Sequence, residues 1–157
     1  EYVSGVVASS AASLQMLLPS IIFVVAAFLA FATGTSWGTF GILIPICIAV
    51  FPETAPLRII SISACMAGAV CGDHISPISD TTIMASAGAE CKHVHHVSSQ
   101  LPYALTVAGV SFLTFAVAGF TQSMGYAASA VISWVAGLCL LATVLTIMKH
   151  RKTKIAR

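Results

Sequence analysis

Charged side chains are scarce in this chain of 157 residues, at 8% of the sequence against a hydrophobic share of 58%. An ordinary soluble domain carries roughly 25% charged residues. Residues 2–52 contain no Asp, Glu, Lys or Arg, and residues 93–148 contain none either. A helix crosses the hydrocarbon core of a bilayer in about 20 residues, so each window has room for two passes. The composition excludes an ordinary soluble domain and predicts an all-α, multi-pass membrane protein.

The sequence also lacks an initiating Met, a basic n-region and a signal cleavage site, because Glu1 stands directly inside apolar sequence. We therefore expect the chain to be the C-terminal part of a longer membrane protein. Its basic residues are concentrated at the other end, where five of the seven lie within residues 149–157. Cationic flanks stay on the cytoplasmic side, so this tail predicts a cytoplasmic C-terminus in the cell membrane. Nothing else in the chain supports nucleic-acid binding by the tail.

Disulfide and metal-site patterns are missing as well. The five cysteines are odd in number and lie mostly inside apolar runs, which is typical of small packing residues. Cys91 stands near His93, His95 and His96, but the paired spacings of zinc sites are absent. We interpret these histidines as a surface cluster in a short loop, and we expect no resident cofactor.

Counting spans back from the basic tail gives the order of the membrane segments. Residues 126–148 and 100–120 predict two antiparallel spans joined by an external turn at residues 121–125. Residues 90–99 then lie on the cytoplasmic side, and residues 51–56 are expected outside.

Residues 57–89 have features that an uninterrupted span does not explain, because two acids, a histidine and Pro77 separate two apolar halves. Pro77 lacks an amide donor and disfavours helical geometry at the preceding residue, so we expect the helix to break at residues 75–78. Before the break, small residues recur at a spacing of four and let another helix approach closely, namely Ala64, Gly68 and Gly72. The segment predicts one discontinuous helix.

Glycines and hydroxyl side chains interrupt the first charge-free window at residues 33–39. The flanking arms, residues 19–32 and 37–51, would each be about 21–23 Å long as helices, which is short for a full crossing. A re-entrant hairpin over residues 19–51, with a polar tip near mid-membrane, fits these lengths better than two spans.

Residues 34–38 have the sequence GTSWG, which matches the G-x-S-x-G pattern of a hydrolase nucleophile elbow. That motif requires a preceding strand in a parallel sheet, and the chain predicts neither. An intramembrane serine hydrolase using Ser36 and His74 is therefore a remote alternative. The same residues form G-x-x-x-G, which is also typical of tight helix packing.

The hydroxyl groups of the tip could serve as ligands, because a dehydrated cation needs several oxygen atoms and glycine turns expose backbone carbonyls. The candidate donors at the tip are Thr33, Thr35, Ser36 and Thr39.

Asp73 and Asp80 give a stronger signal, because a carboxylate within a span is costly and marks an ion or proton pathway. Asp73 falls near the negative, C-terminal end of the first half-helix, where an anion needs a cation or a proton to neutralise it. Asp80 falls at the N-terminal end of the second half-helix, where it either caps the helix or serves as a ligand. His74 either pairs with Asp73 or caps the preceding carbonyls. The other polar candidates around the break are Ser76, Ser79, Thr81 and Thr82.

Three motifs together resemble the NhaC family of Na⁺/H⁺ antiporters: GTSWGT at residues 34–39, AVCGDHISPISDTT at residues 69–82 and QLPY at residues 100–103. The resemblance covers most of residues 19–120. It implies a transporter built of inverted repeats, of which this chain would be the second, with hairpin tip and broken helix meeting at one site. It also implies exchange of Na⁺ for H⁺.

The family also includes exchangers of small carboxylates such as malate and lactate, so the resemblance leaves the substrate open. No Arg or Lys within the predicted membrane core could clamp a carboxylate, since Arg58 lies at the boundary, and this favours an inorganic cation. We expect an antiporter rather than an enzyme. The expected partners of the antiporter are Na⁺, H⁺, the lipid bilayer and the N-terminal half of the same protein. A homodimer is compatible with this interpretation. The expected Na⁺ ligands are Asp73, Asp80, Thr35 and Ser36.

Overall fold

The computed structural model describes residues 12–155, with side chains described within residues 14–150. Glu1 and the end of the basic tail lie outside the described residues. Six α-helices and no strand make up the described part of the chain. They are α1 (Ala12–Thr33), α2 (Ser36–Val50), α3 (Pro56–Ile75), α4 (Asp80–Gly88), α5 (His93–Thr121) and α6 (Tyr126–Ile155), with a 3₁₀ turn at Gln122–Met124.

Four helical segments are long and apolar enough to cross a membrane, with mean hydropathies between 1.2 and 2.4. They are Leu14–Thr33, Pro56–Ile75, His93–Met124 and Tyr126–His150. Helix α2 has 15 residues and is apolar but shorter. The prediction of a helical, multi-pass membrane protein is confirmed.

Helix α1 begins well before residue 19, where the first hairpin arm was expected to begin. It has 22 residues, about 33 Å of helix, and contains Pro19. Proline favours the first turn of a helix, but Pro19 lies inside α1. Residues 12–18 continue the helix on the N-terminal side, and Pro19 is fully buried. The two arms that meet at the tip are therefore unequal.

Helix α3 lies at the centre of the bundle. Half of its membrane window is buried, whereas the other three windows are 6% to 28% buried. It runs parallel to α1, because contacts between the two helices keep a constant offset: Gly68 lies against Phe23, Gly72 against Ala27 and Ser76 against Phe31. The strip of small residues predicted on this segment is the face that permits the close approach.

Helix α5 runs antiparallel to α1. Their contacts are Gly119 against the Met16 carbonyl, the Ser20 hydroxyl donating to the Phe112 carbonyl at 3.2 Å, and the rings of Phe23 and Phe115 at 5.6 Å. Helix α6 returns along α5, where the Ser129 hydroxyl donates to the Ala118 carbonyl at 3.1 Å.

The buried core lies between α1, α2 and α3. Its central residues are Ala26, Ala30, Cys47, Cys65 and Ala69. Two of the five cysteines thus act as packing residues, as expected, whereas Cys91 and Cys139 are exposed. Small side chains from all three helices bring the backbones close together just below the tip and the break.

Candidate functional site

The tip between α1 and α2 is a tight turn centred on Gly34. Gly34 has a φ of +68°, the left-handed conformation that glycine adopts without strain. Its N–H donates to the Ala30 carbonyl at 2.8 Å. Thr35 then caps α2, because its Oγ1 accepts the Gly38 N–H at 3.3 Å.

The break in the second segment is a linker of residues 76–79 between α3 and α4. Ser76 has an extended backbone, as the following proline requires. Its Oγ donates to the Phe31 carbonyl at 2.7 Å and accepts the Ile78 N–H at 3.4 Å. A methyl group at Gly34 would stand 2.9 Å from the Ile78 carbonyl oxygen. The tip and the linker are therefore in direct contact.

Four helix ends meet at this contact, and their electrostatic characters differ. Helices α1 and α3 end there, and C-terminal carbonyls carry partial negative charge that favours a cation. Helices α2 and α4 begin there, and N-terminal amides favour an anion or a carboxylate. The site is therefore suited to a carboxylate that holds a cation.

Asp73 is a buried carboxylate, only 7% exposed, whereas Glu53, Asp80 and Glu90 are exposed. Its Oδ1 has no hydrogen-bond partner. An ionised carboxylate oxygen removed from water without a partner is strongly disfavoured. Asp73 therefore requires a bound cation, a proton or another donor.

The direction in which Asp73 points follows from its position on α3. Cys65, Ala69 and Asp73 are spaced by four and share one helix face, and the first two pack in the core with Cys47. Helix α2 runs antiparallel to α3, because α2 begins beside the linker and its Cys47 packs with Cys65 of α3. Thr39 lies two turns before Cys47 on α2, at the level of Asp73. Asp73 thus faces the first turns of α2.

The hydroxyl groups predicted as ligands fall into two groups. Ser36, Thr39, Ser76, Ser79 and Thr82 are buried, whereas Thr33 and Thr81 are exposed and Thr35 is half-buried. Most of these hydroxyl groups make short local hydrogen bonds. They are Thr33 to the Leu29 carbonyl at 2.8 Å, Thr39 to the Thr35 carbonyl at 3.0 Å, Ser79 with Thr81 at 2.7 Å and Thr82 to the His74 carbonyl at 3.2 Å.

Two predicted residues, Asp80 and His74, are exposed, unlike the buried carboxylate of Asp73. Asp80 is exposed, and its Oδ1 accepts the Thr81 N–H at 2.7 Å. His74 is exposed, and its hydrogen bonds within the described residues run through its backbone carbonyl. No cluster of three His, Cys, Asp or Glu side chains suited to a metal ion occurs in the part of the chain that the structure describes.

The prediction that the histidine cluster lies in a short surface loop is wrong, because His93, His95 and His96 all lie in the first turn of α5. Helix α5 begins at His93, because the polar residues before Gln100 continue the helix. The ring of His93 is half-buried, with Nε2 2.7 Å from the Pro77 carbonyl oxygen and Nδ1 3.1 Å from the Ser86 hydroxyl. The Gln100 side chain also reaches the break, donating to the His74 carbonyl at 2.5 Å. Their spacing of seven on one helix face was the signal that the sequence offered.

The contacts with α5 give the position of the break along that helix. Gln100, which contacts the break, lies about 32 Å along the helix from Thr121 and about 10 Å from His93. The break therefore lies along the first quarter of α5, between the levels of His93 and Gln100, rather than at the midpoint of the helix. A cavity of about 530 Å³ between α3 and α5 opens beside it, lined in part by Cys71, His74, Gln100, Tyr103 and Ser111.

Residues 1–120, which include the tip, the break and most of α5, match the model of the Na⁺/H⁺ antiporter family. The chain belongs to the Na⁺/H⁺ antiporter family. The structure also argues against the serine-hydrolase alternative. Helix α1 rather than a strand precedes Gly34, so the structural context of a nucleophile elbow is missing. The matched proteins whose names state an activity are antiporters.

Three relatives illustrate the range of the family. An uncharacterized protein of Haemophilus influenzae is 56% identical over 120 residues, covering 74% of this chain and 23% of the relative. The malate-2H(+)/Na(+)-lactate antiporter of Bacillus subtilis is 32% identical over 112 residues, covering 68% and 24%. The arginine/ornithine antiporter ArcD of Halobacterium salinarum is 30% identical over 116 residues, covering 71% and 24%. The chain spans about a quarter of the length of these relatives. No solved structure matches it.

Proposed function

We propose that this chain forms the ion-coordinating part of a secondary antiporter, of the NhaC branch of the family, that exchanges Na⁺ for H⁺ across the cell membrane. Asp73 carries the proposal, because its unpaired, buried oxygen lies where the tip and the linker meet. The family membership of residues 1–120 supports it.

Exchange follows if Na⁺ and H⁺ compete for Asp73. The ionised carboxylate binds Na⁺ together with oxygen atoms of Thr35, Ser36 and Asp80, and protonation removes the charge that holds the cation. Either ion satisfies the buried group, and the empty ionised site is disfavoured. The carrier therefore crosses between its two faces loaded with one ion or the other.

The membrane arrangement that we propose places the tip in a re-entrant hairpin and the linker in the discontinuous helix of one of two inverted repeats. The C-terminus is cytoplasmic, and the remaining ligands come from the other repeat of the same protein. Helices α1 and α3 run parallel, and α2 connects the tip back to the start of α3. This arrangement is compatible with a hairpin whose two ends lie on the same side of the membrane.

Replacement of Asp73 by Asn tests the proposal, because it removes the titrating charge with little change of shape. In proteoliposomes containing the intact protein, we expect Na⁺-driven proton movement, followed with a pH-sensitive dye, to fall to background for Asp73→Asn. Glu53→Gln is the matched control, since this acid is exposed and forms only a surface ion pair with Arg58 at 3.7 Å. Thermal unfolding in detergent checks that both variants fold. Wild-type exchange with an unchanged pH profile in Asp73→Asn would falsify the assignment.

The cavity beside the break favours a second candidate, coupled exchange of small carboxylates. Its volume of about 530 Å³ accommodates a small organic acid, and His74, Gln100 and Ser111 on its wall offer hydrogen bonds. The Bacillus subtilis relative named above exchanges malate and lactate. Uptake of labelled malate and lactate by the same proteoliposomes separates the candidates, since an ion exchanger takes up neither.

A further inference from the structure

His93 joins three elements around the break. It is the first residue of α5, its Nε2 lies 2.7 Å from the carbonyl oxygen of Pro77 in the linker, and its Nδ1 lies 3.1 Å from the hydroxyl of Ser86 on α4. The Ser86 hydroxyl in turn donates to the Ile83 carbonyl at 2.8 Å. The imidazole of His93 thus connects the linker to α4 and to α5.

The hydrogens available to these groups depend on the charge of His93. The Pro77 carbonyl only accepts, so Nε2 must carry a hydrogen. The Ser86 hydroxyl has one hydrogen, and when it is given to the Ile83 carbonyl, Nδ1 must also donate. The three contacts are therefore satisfied together only by the doubly protonated, charged ring. In the neutral ring Nδ1 accepts from Ser86, and the bond from Ser86 to Ile83 is lost.

Several other titratable groups lie on the elements around His93. They are Asp73 and His74 on α3, Asp80 and Glu90 on or beside α4, Lys92, His95 and His96 at the start of α5, and Lys149 and His150 on α6. None of them forms an ion pair with His93 among the residues that the structure describes. Helix α6 meets α5 further along, where Thr106 approaches Met148.

We propose that His93 is a positioning residue that fixes the linker more firmly when it is charged, and that it thereby gives ion exchange a pH dependence separate from competition at Asp73. The proposal rests on the proposed function. Charged His93 supplies two donors, one to the linker and one to α4, so acidic pH holds residues 76–79 against α4 and α5. Neutral His93 retains the contact with Pro77 but gives up part of the network, and the linker moves more freely.

Self-exchange of labelled Na⁺ at saturating Na⁺ on both sides measures this effect, because protons are then neither exchanged nor able to compete. We expect wild-type self-exchange to fall about fivefold between about pH 8 and about pH 5.5, which is the effect of one net hydrogen bond on the linker. His93→Gln keeps one donor for Pro77 but cannot titrate, so its rate should stay nearly constant. His95→Gln is the matched control, since His95 is exposed, and it should behave as wild type.

A spin label at Ile78 tests the same proposal without transport. Ile78 is an exposed linker residue, and the label is introduced as Ile78→Cys in the intact protein without its native cysteines. We expect the label to be less mobile at about pH 5.5 than at about pH 8, a difference that His93→Gln and Ser86→Ala each remove. An equal pH response of the label in wild type and His93→Gln overturns the proposal. Absence of Na⁺ exchange in wild type overturns the proposed function instead, and the label still decides the role of His93.

Discussion

Asp73 and Asp80 are separated by one linker, yet their surroundings are opposite. Asp73 is buried near the C-terminal end of α3, and its Oδ1 has no partner. Asp80 is exposed at the N-terminal end of α4 and accepts the Thr81 N–H at 2.7 Å. A helix N-terminus stabilises an ionised carboxylate, whereas a C-terminus disfavours it. The helix end beside Asp80 therefore stabilises its negative charge, whereas the helix end beside Asp73 does not.

Asp80→Asn separates the role of Asp80 as a cap from its proposed role as a ligand. Asparagine keeps an acceptor for the Thr81 N–H, so the free energy of unfolding should change by less than about 1 kcal/mol. Loss of the charge should raise the Na⁺ concentration for half-maximal exchange by about tenfold, because ligand charge tunes cation affinity. The measurement is the initial exchange rate against Na⁺ concentration, with thermal unfolding alongside. An unchanged Na⁺ dependence would reduce Asp80 to a cap, and Asp80→Ala then shows what the cap itself contributes.

At the scale of the elements, the contact between α1 and α3 determines where the tip meets the linker. Gly68 and Gly72 face backbone carbonyls of α1 so closely that a side-chain methyl has no room. One turn after Gly72, the Ser76 hydroxyl donates to the Phe31 carbonyl of α1. The glycines thus bring α3 to the distance at which the linker can hydrogen-bond to the end of α1.

Gly72→Ala should therefore separate the two helices. The added methyl collides with the Ala27 carbonyl, and backbone displacement of this kind costs about 1–3 kcal/mol. We expect a lower unfolding midpoint in detergent and a loss of exchange, because Asp73 is the next residue. Gly109→Ala on α5 is the control, since its added methyl meets open space, and helix propensity alone predicts a gain of up to about 1 kcal/mol. Equal midpoints for both variants would contradict the packing argument.

The sequence predicted the structural features that depend on residues close together in the chain. Pro77 interrupts the helix through its own geometry, and the spacing of Gly68 and Gly72 exposes backbone whatever helix packs there. The start of α1 and the position of His93 depend instead on distant partners. Polar residues before Gln100 resemble a loop when viewed alone, and only the contact of His93 with the linker shows that the helix extends beyond the apolar segment.

At the scale of the whole molecule, the arrangement that we propose in the membrane rests on the basic tail and on the number of crossings. We expect a cysteine at Thr54 to react with an impermeant thiol reagent added outside cells, and one at Ser98 to react only after permeabilisation. Both positions are exposed, and in the proposed arrangement the broken segment crosses the membrane once between them. The experiment uses the intact protein without its native cysteines. Equal labelling of the two positions from outside would contradict a cytoplasmic C-terminus.

The position of the break along α5 has an electrical consequence. An elementary charge that crosses the whole membrane experiences about 2.3 kcal/mol per 100 mV. A Na⁺ ion that reaches Asp73 from the Thr121 end of α5 would traverse most of this voltage drop, and one that arrives from the His93 end would traverse a small part of it. Binding and release on the side of Thr121 would therefore respond steeply to membrane potential, while the same steps on the other side would be nearly insensitive. The two halves of the cycle would thus divide the membrane potential unequally.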